Sequence, residues 1–398
     1  MHRRHVDDTE RRNRLALRHG LHPDQRLADP VAATRAMTVL HATESATVHL
    51  AVHARTTGTS PADVDRSLYD DRALVKQLAM RRTLFVMPVD LLPAALGSAS
   101  ARVAAEQRRL IGRDVERHGV ARDGQVWIER ATAAVVDLLT GSPPLSARQL
   151  REELPELSGT ITVDTDKRWG GTFQLAPRVL TLLGAAGVLV RGPNVGHWRT
   201  SRPTWTLMDS WLGAAPERVT TEEGYGVLVR RWLRTFGPGT LEDVQWWLGS
   251  TRTAARAALA AADAVEVGLD GGGTGWVLPE DVDEVSEAGP WAALLPTLDP
   301  TTMGWKQRGF YLDPRHVPSL FDSFGNAGTT AWWQGRVVGC WVQDAQAGVR
   351  VVLREGEDVG AQGRAALAAE ADRLTAWLDG VQIPTVYTSP LMKESRLS

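Results

Sequence analysis

At 398 residues the chain is too long for a single hydrophobic core, and its length predicts two to four compact units. Apolar residues are 43 % and charged residues 23 % of the chain, the proportions of a soluble globular protein, and with no run of about 18 apolar residues a membrane-spanning helix is excluded. A net charge of −2 does not advertise nucleic-acid binding, and a single cysteine, Cys340, excludes an internal disulfide and a thiolate zinc cluster.

Residues 1–10 are charged, lack the apolar stretch of a secretory signal and read as the disordered tail of a cytoplasmic protein. A first unit is expected over 11–120. Asp29 as N-cap and Pro30 at the first helical position open a helix whose periodic positions, Val31, Thr34, Met37 and Leu40, stop at His41. The loop Leu40-His41-Ala42-Thr43-Glu44-Ser45-Ala46 follows, and a second helix, capped by Ser45, carries Val48 and Val52. Imidazole, hydroxyl and carboxylate on one short loop suit the positioning of a water or a substrate. The plainer alternative is that His41 complements the end of its helix while Thr43 or Ser45 caps the next. Residues Asp70 to Met80 predict an amphipathic helix with an acidic first turn, and Arg81 to Pro88 a β-run led by two arginines. Helices followed by a strand behind a basic step outline a winged helix.

The outline returns in 121–215 and 216–287. In the first of these, Ser146 caps a helix from Ala147 to Leu154, and a polar loop carries Asp164, Asp166, Lys167, Arg168 and Trp169. Pro177 opens a helix through Ala186, and strands Val188 to Arg191 and His197 to Thr200 flank a wing turn. In the second, a helix from Gly224 to Phe236 precedes a capping box between Thr240 and Asp243, a helix from Thr251 to Ala262, and a hairpin across Asp270-Gly271-Gly272-Gly273. Residues 288–380 alternate as strands around Thr330, Arg336 and Val349, predicting a small sheet or partial barrel closed by a helix from Gly363 to Leu378; 381–398 read as a mobile tail. The fold class is therefore α+β, tandem winged helices with a C-terminal β-barrel-like domain. Most of the 15 tryptophans fall late in the chain and suit cores between small layers, although exposed ones can stack on bases. Lysine occurs only at Lys76, Lys167, Lys306 and Lys393; the arginine bias suits phosphate contacts, and a GC-rich genome produces the same bias.

Over residues 11 to about 380 the chain resembles the winged-helix crosslink-repair DNA glycosylases of the AlkZ and YcaQ type. The resemblance is carried by Arg81-Arg82-Thr83-Leu84, Ala176-Pro177-Arg178 with Gly187-Val188-Leu189-Val190-Arg191, and Leu233-Arg234-Thr235-Phe236-Gly237-Pro238. Further on it is carried by Leu298-Asp299-Pro300 with Gly304-Trp305-Lys306-Gln307-Arg308, and by Gly335-Arg336-Val337-Val338-Gly339. It implies a monomer whose partner is double-stranded DNA carrying alkylated purines, and a monofunctional hydrolysis of the N-glycosidic bond with no cofactor. A DNA-binding surface through Arg81, Arg82, Lys167, Arg168, Arg178, Lys306 and Arg308 is expected as well, because these residues fall at wing or helix starts. In that family the first loop carries glutamine, any residue, then glutamine or aspartate; here His41 and Thr43 stand at those positions.

A purine alkylated at N7 is already cationic, so the enzyme chiefly has to hold a water on the sugar face and stabilise an oxocarbenium-like state. His41 is expected to orient that water and to take its proton near neutral pH, with Thr43 giving a second hydrogen bond. For Glu44 three roles stand open: tuning His41, balancing positive charge on the sugar, or simply starting a helix. The alternative from another class is a DNA-binding regulator or damage sensor without catalysis. His49 and His53 have metal-ligand spacing but no third histidine nearby, Asp164 and Asp166 read as a solvated pair, and no nucleotide fingerprint, serine elbow or metalloprotease motif appears.

Overall fold

Several helix starts in this chain are set by side-chain oxygens. The computed structural model describes residues 3–163 and 170–397. Asp29 accepts the Ala32 N–H at 2.8 Å and Pro30 opens the helix Pro30–Ala36. Reciprocal capping boxes open four further helices among the described residues: Ser60 with Asp63 at Pro61–Asp65, Ser146 with Gln149 at Ala147–Glu153, Thr220 with Glu223 at Thr221–Phe236, and Thr240 with Asp243 at Leu241–Leu248.

The strands make several small sheets, none of them closed among the described residues. In the first, Leu40–His41 and Leu74–Leu78 flank Leu84–Pro88, both antiparallel to it. The helix expected over Asp70 to Met80 is thus a strand. Arg72 takes a left-handed conformation (φ 55°) that stops helical continuation, and Leu74, Val75 and Gln77 are all buried. A strand buried on both faces shows no period of two, which is why its pattern mimics a helix. The second small sheet joins Leu145–Ser146, Pro203–Leu207 and Leu189–Asn194. Its hairpin reaches further than expected, so His197 to Thr200 lie in the turn. The expected partial barrel is an open antiparallel sheet, Ala292–Leu295, Thr330–Trp333, Arg336–Gln343 and Val349–Leu353 in that order, because four strands are too few to close. The helix Gly360–Leu378 covers one face, burying Leu367, Leu374 and Leu378 with Ala331, Val338 and Trp341.

Both expected tails are built into the body. His5–Val6 adds a parallel strand to Val265–Leu269, and Asp7 caps the helix Asp8–Arg18. At the other end Pro390–Leu397 is helical, and Ser389 and Met392 are buried. One hydrophobic core runs from Leu15 to Met392, with Trp232, Trp305 and Trp332 fully enclosed, as expected for most of the tryptophans. Residues 131–207 hold a smaller core of their own. At the centre Arg55 and Asp299, both without solvent exposure, pair in bidentate fashion at 2.7 and 2.8 Å, and Arg55 also donates to Thr301 and to the Ala51 carbonyl.

Candidate active site and nucleic-acid interface

His41 sits on the short strand Leu40–His41, opposite Phe85, with the two rings edge to face at 4.8 Å. The preceding helix ends at Ala36, so His41 does not complement its terminus. The imidazole is buried and makes none of the hydrogen bonds found among the described residues. Burial, and secondarily the charge of Arg81, pushes its pKa down to about 3. At neutral pH it is therefore an uncharged ring with one lone pair to offer. Such a ring orients a water well and removes a proton poorly.

Thr43 is exposed, and Glu44 is the N-cap residue of Ser45–His53 without making a side-chain cap. Its carboxylate turns instead to the end of the chain. Oε1 accepts the Val386 N–H at 2.7 Å, both oxygens face the Thr385 hydroxyl at 2.9 Å, and Oε2 accepts from Thr297 Oγ1 at 2.9 Å. Glu44 is thus more than a helix start: it fastens the loop to a segment read from sequence as a mobile tail. Ser45, expected as the cap, is buried in the first turn, where Asn194 Nδ2 donates to its hydroxyl at 3.3 Å.

Polar side chains missed in the sequence lie below this loop. His49 donates through Nδ1 to the Ser45 carbonyl at 3.1 Å and meets Asp65 through Nε2 at 3.1 Å, with Trp198 tilted over its ring. Lys76, placed by the sequence on an amphipathic helix, is buried and donates to the Tyr69 hydroxyl at 2.7 Å; burial and then Arg191 push its pKa down to about 8. His53 stacks on Trp377 at 4.6 Å. The His49–Asp65 spacing gave no local signal because its partners lie on different helices.

The hairpin joining Leu74–Leu78 to Leu84–Pro88 turns at Arg81 and Arg82, whose φ values are 52° and 57°, and Thr83 N–H returns to the Met80 carbonyl at 3.0 Å. Two consecutive positive φ values define a type I′ turn, which favours asparagine and glycine. Arginine here holds the backbone in a conformation costing about 1–2 kcal/mol per residue, the kind of local cost met at functional positions. Arg81 lies 3.9 Å over the Trp246 ring, and Arg308 shares that ring from 5.6 Å while covering Phe321 at 4.6 Å. Burial, then the charge of Arg308, lowers the Arg81 pKa to about 10. Arg82 is exposed and lines a cleft of about 580 Å³ together with Gln107, Asp114, Phe173 and Arg178.

The other expected DNA contacts divide. Arg178 is in that cleft but donates to Asp114 at 2.8 Å. The Lys306 ammonium is held by Glu242 at 2.6 Å, which offsets its charge. Lys167 and Arg168, like Asp164 and Asp166, lie outside the described residues. The structure thus gathers Arg81, Arg308 and the His41 strand in one place and Arg82 with Arg178 in a neighbouring cleft. Among the described residues no group of three His, Cys, Asp or Glu side chains converges as a metal site, and no helix is long and apolar enough to cross a membrane.

The model of a family described as "DNA glycosylase AlkZ-like" matches residues 34–377, so the chain belongs to the AlkZ-like DNA glycosylase family. Among solved structures it is similar to the Streptomyces sahachiroi DNA glycosylase AlkZ. The TM-score is 0.73 at 22 % identity, over 93 % of this chain and 96 % of that one, a likeness of fold. No curated protein matches the chain.

Proposed function

We propose that this chain is a monofunctional DNA glycosylase that hydrolyses the N-glycosidic bond of N7-alkylated purines, or of crosslinks through them, in duplex DNA. It acts as a monomer in the cytoplasm, at the nucleoid, and its helix-and-hairpin units serve as tandem winged helices. The observation that carries the reading is His41, a neutral imidazole with no hydrogen-bond partner among the described residues, on a strand beside the arginine hairpin. Departure of a cationic purine needs little protonation, so holding the attacking water is the main demand on the protein. His41 accepts a hydrogen bond from that water and Thr43 offers a second. With a conjugate acid near pKa 3, His41 leaves the water's proton to solvent after the bond has broken. Glu44 acts as a clamp on the loop. Arg81, Arg82 and Arg308 meet phosphates, and Arg178 and Lys306 contribute less because carboxylates already hold them.

The test is release of free base from an N7-methylguanine duplex. His41→Ala is expected to lower the rate by about tenfold to a hundredfold, the range for a lost base or water-positioning group, with binding to intact duplex unchanged. His41→Gln keeps a lone pair for the water and is expected to stay within about tenfold of the parent. Unaltered excision by folded His41→Ala would remove His41 from the chemistry. No release by the parent protein would make the chain a DNA binder without catalysis.

A further inference from the structure

The two most exposed large apolar side chains among the described residues are Phe324, 89 % exposed, and Val386, 83 % exposed. Phe324 is held outward by a closed turn. Asp322 Oδ1 accepts the N–H groups of Phe324 and Asn326, both at 2.9 Å, and Oδ2 accepts from Asn326 Nδ2 at 2.9 Å. Asp322 N–H in turn reaches the Asn326 carbonyl at 2.9 Å. A phenylalanine so presented gains nothing from the fold of its own chain.

Two chains of neighbouring groups link the turn that carries Phe324 to the candidate loop. On one side Val386 donates to Glu44, and the hydroxyl of the next residue, Tyr387, is pushed up by burial and by the charges of both Glu44 and Asp322. On the other side Phe321 is buried beneath the Arg308 guanidinium, which shares Trp246 with Arg81. Arg81 and Arg308 form no ion pair among the described residues, whereas Glu44 and Asp322 are already occupied by hydrogen-bond donors. Cations without counter-charge next to an exposed phenyl ring fit a polyanion that carries flat apolar faces.

We propose that Phe324, flanked by Val386, is a wedge that stacks against a poorly stacked base of duplex DNA next to the His41 loop. It rests on the DNA reading given above. Arginines hold the backbone by charge while the aromatic face, indifferent to sequence, rewards a duplex already loosened at the damaged position.

The experiment uses the full chain, and two duplexes labelled for anisotropy. One is intact; the other carries a tetrahydrofuran abasic analogue facing 2-aminopurine. Phe324→Ala is expected to bind the abasic duplex about fivefold to a hundredfold more weakly, the range for losing one aromatic–base stack, and to lose the 2-aminopurine fluorescence change at saturation. Its affinity for intact duplex should move by less than about twofold, because phosphate contacts are kept. Phe324→Trp should retain both signals. Equal affinities and an unchanged fluorescence response in Phe324→Ala overturn the wedge while leaving DNA binding intact. Equal weakening on both duplexes also overturns it, and failure of the parent to bind either duplex overturns the DNA reading and the wedge together.

Discussion

Lowering the pH from 7 to 5 should destabilise this protein steeply, because three histidines are buried as neutral rings. Burial comes first in each case. It takes His19 and His41 to about 3, with Arg55 and Arg81 respectively adding to it, and His53 to about 2, helped by Arg373. Each folded-state value lies below the 6.5 of an unfolded histidine. The unfolded chain therefore binds the extra protons, and the stability present above pH 6.5 is lost as pH falls towards 3. One proton is worth about 1.4 kcal/mol per pH unit, so three give a limiting slope of about 4 kcal/mol per unit, or a loss of roughly 6 kcal/mol between pH 7 and 5. Against a reserve of about 5–15 kcal/mol, folding should fail near pH 4 to 5. His19 illustrates why the neutral form is preferred: its Nε2 donates to the Thr235 carbonyl and its Nδ1 meets the Thr301 hydroxyl, which already accepts from Arg55. Urea denaturation followed by tryptophan fluorescence at half-unit pH steps measures the slope. His53→Phe keeps the stack on Trp377 and should flatten it by one proton. A midpoint that stays constant from pH 6.5 to 5, or a slope that His53→Phe leaves unchanged, would refute the account.

Asp299→Asn should cost about 3–5 kcal/mol in urea denaturation, because it leaves Arg55 charged and uncompensated at a site without solvent; a cost under about 1 kcal/mol would mean that the pair is dispensable. Arg82→Gly should be more stable than Arg82→Ala by about 1 kcal/mol, since only glycine relieves the positive φ, while both variants flatten the salt dependence of DNA binding by about one unit. An unchanged slope would remove Arg82 from the phosphate contacts. Glu44→Gln should slow base release at every pH without moving either limb of the profile, and should expose residues 381–389 to faster proteolysis. A shifted limb would instead mean that Glu44 tunes His41.

What the sequence made legible was what neighbouring residues decide. Asp29 with Pro30, Ser146 with Gln149 and Thr240 with Asp243 cap helices within four positions, and each was readable. Leu74–Leu78 misled because burial of both faces erased its alternation, and the pairing that makes it a strand comes from Leu84–Pro88. The ends of the chain misled for a different reason. His5–Val6 is ordered by residues near 268, and Glu44 by Thr385 and Val386, so charged termini with distant partners looked unattached. At the candidate site, the loop could be picked out by its residue types. The low pKa of His41, the exposure of Phe324 and the pairing of Lys306 with Glu242 depend on neighbours that no local pattern brings forward.

The continuous core from Leu15 to Met392, locked at its centre by Arg55 and Asp299, has a mechanical corollary. Elements cemented by shared tryptophans and a doubly bonded ion pair do not swing shut on a ligand as hinged lobes do. Under the proposed function that core is the stiff template and the duplex is the part that bends. The elastic work then falls on the nucleic acid, of order 1–6 kcal/mol for a smooth bend of 40–90° over 20–30 base pairs. A lesion that weakens stacking reduces that work before any side chain touches the altered base. Discrimination would then reside partly in the pliability of the damaged helix, and would change with the flanking sequence even where no residue reads it.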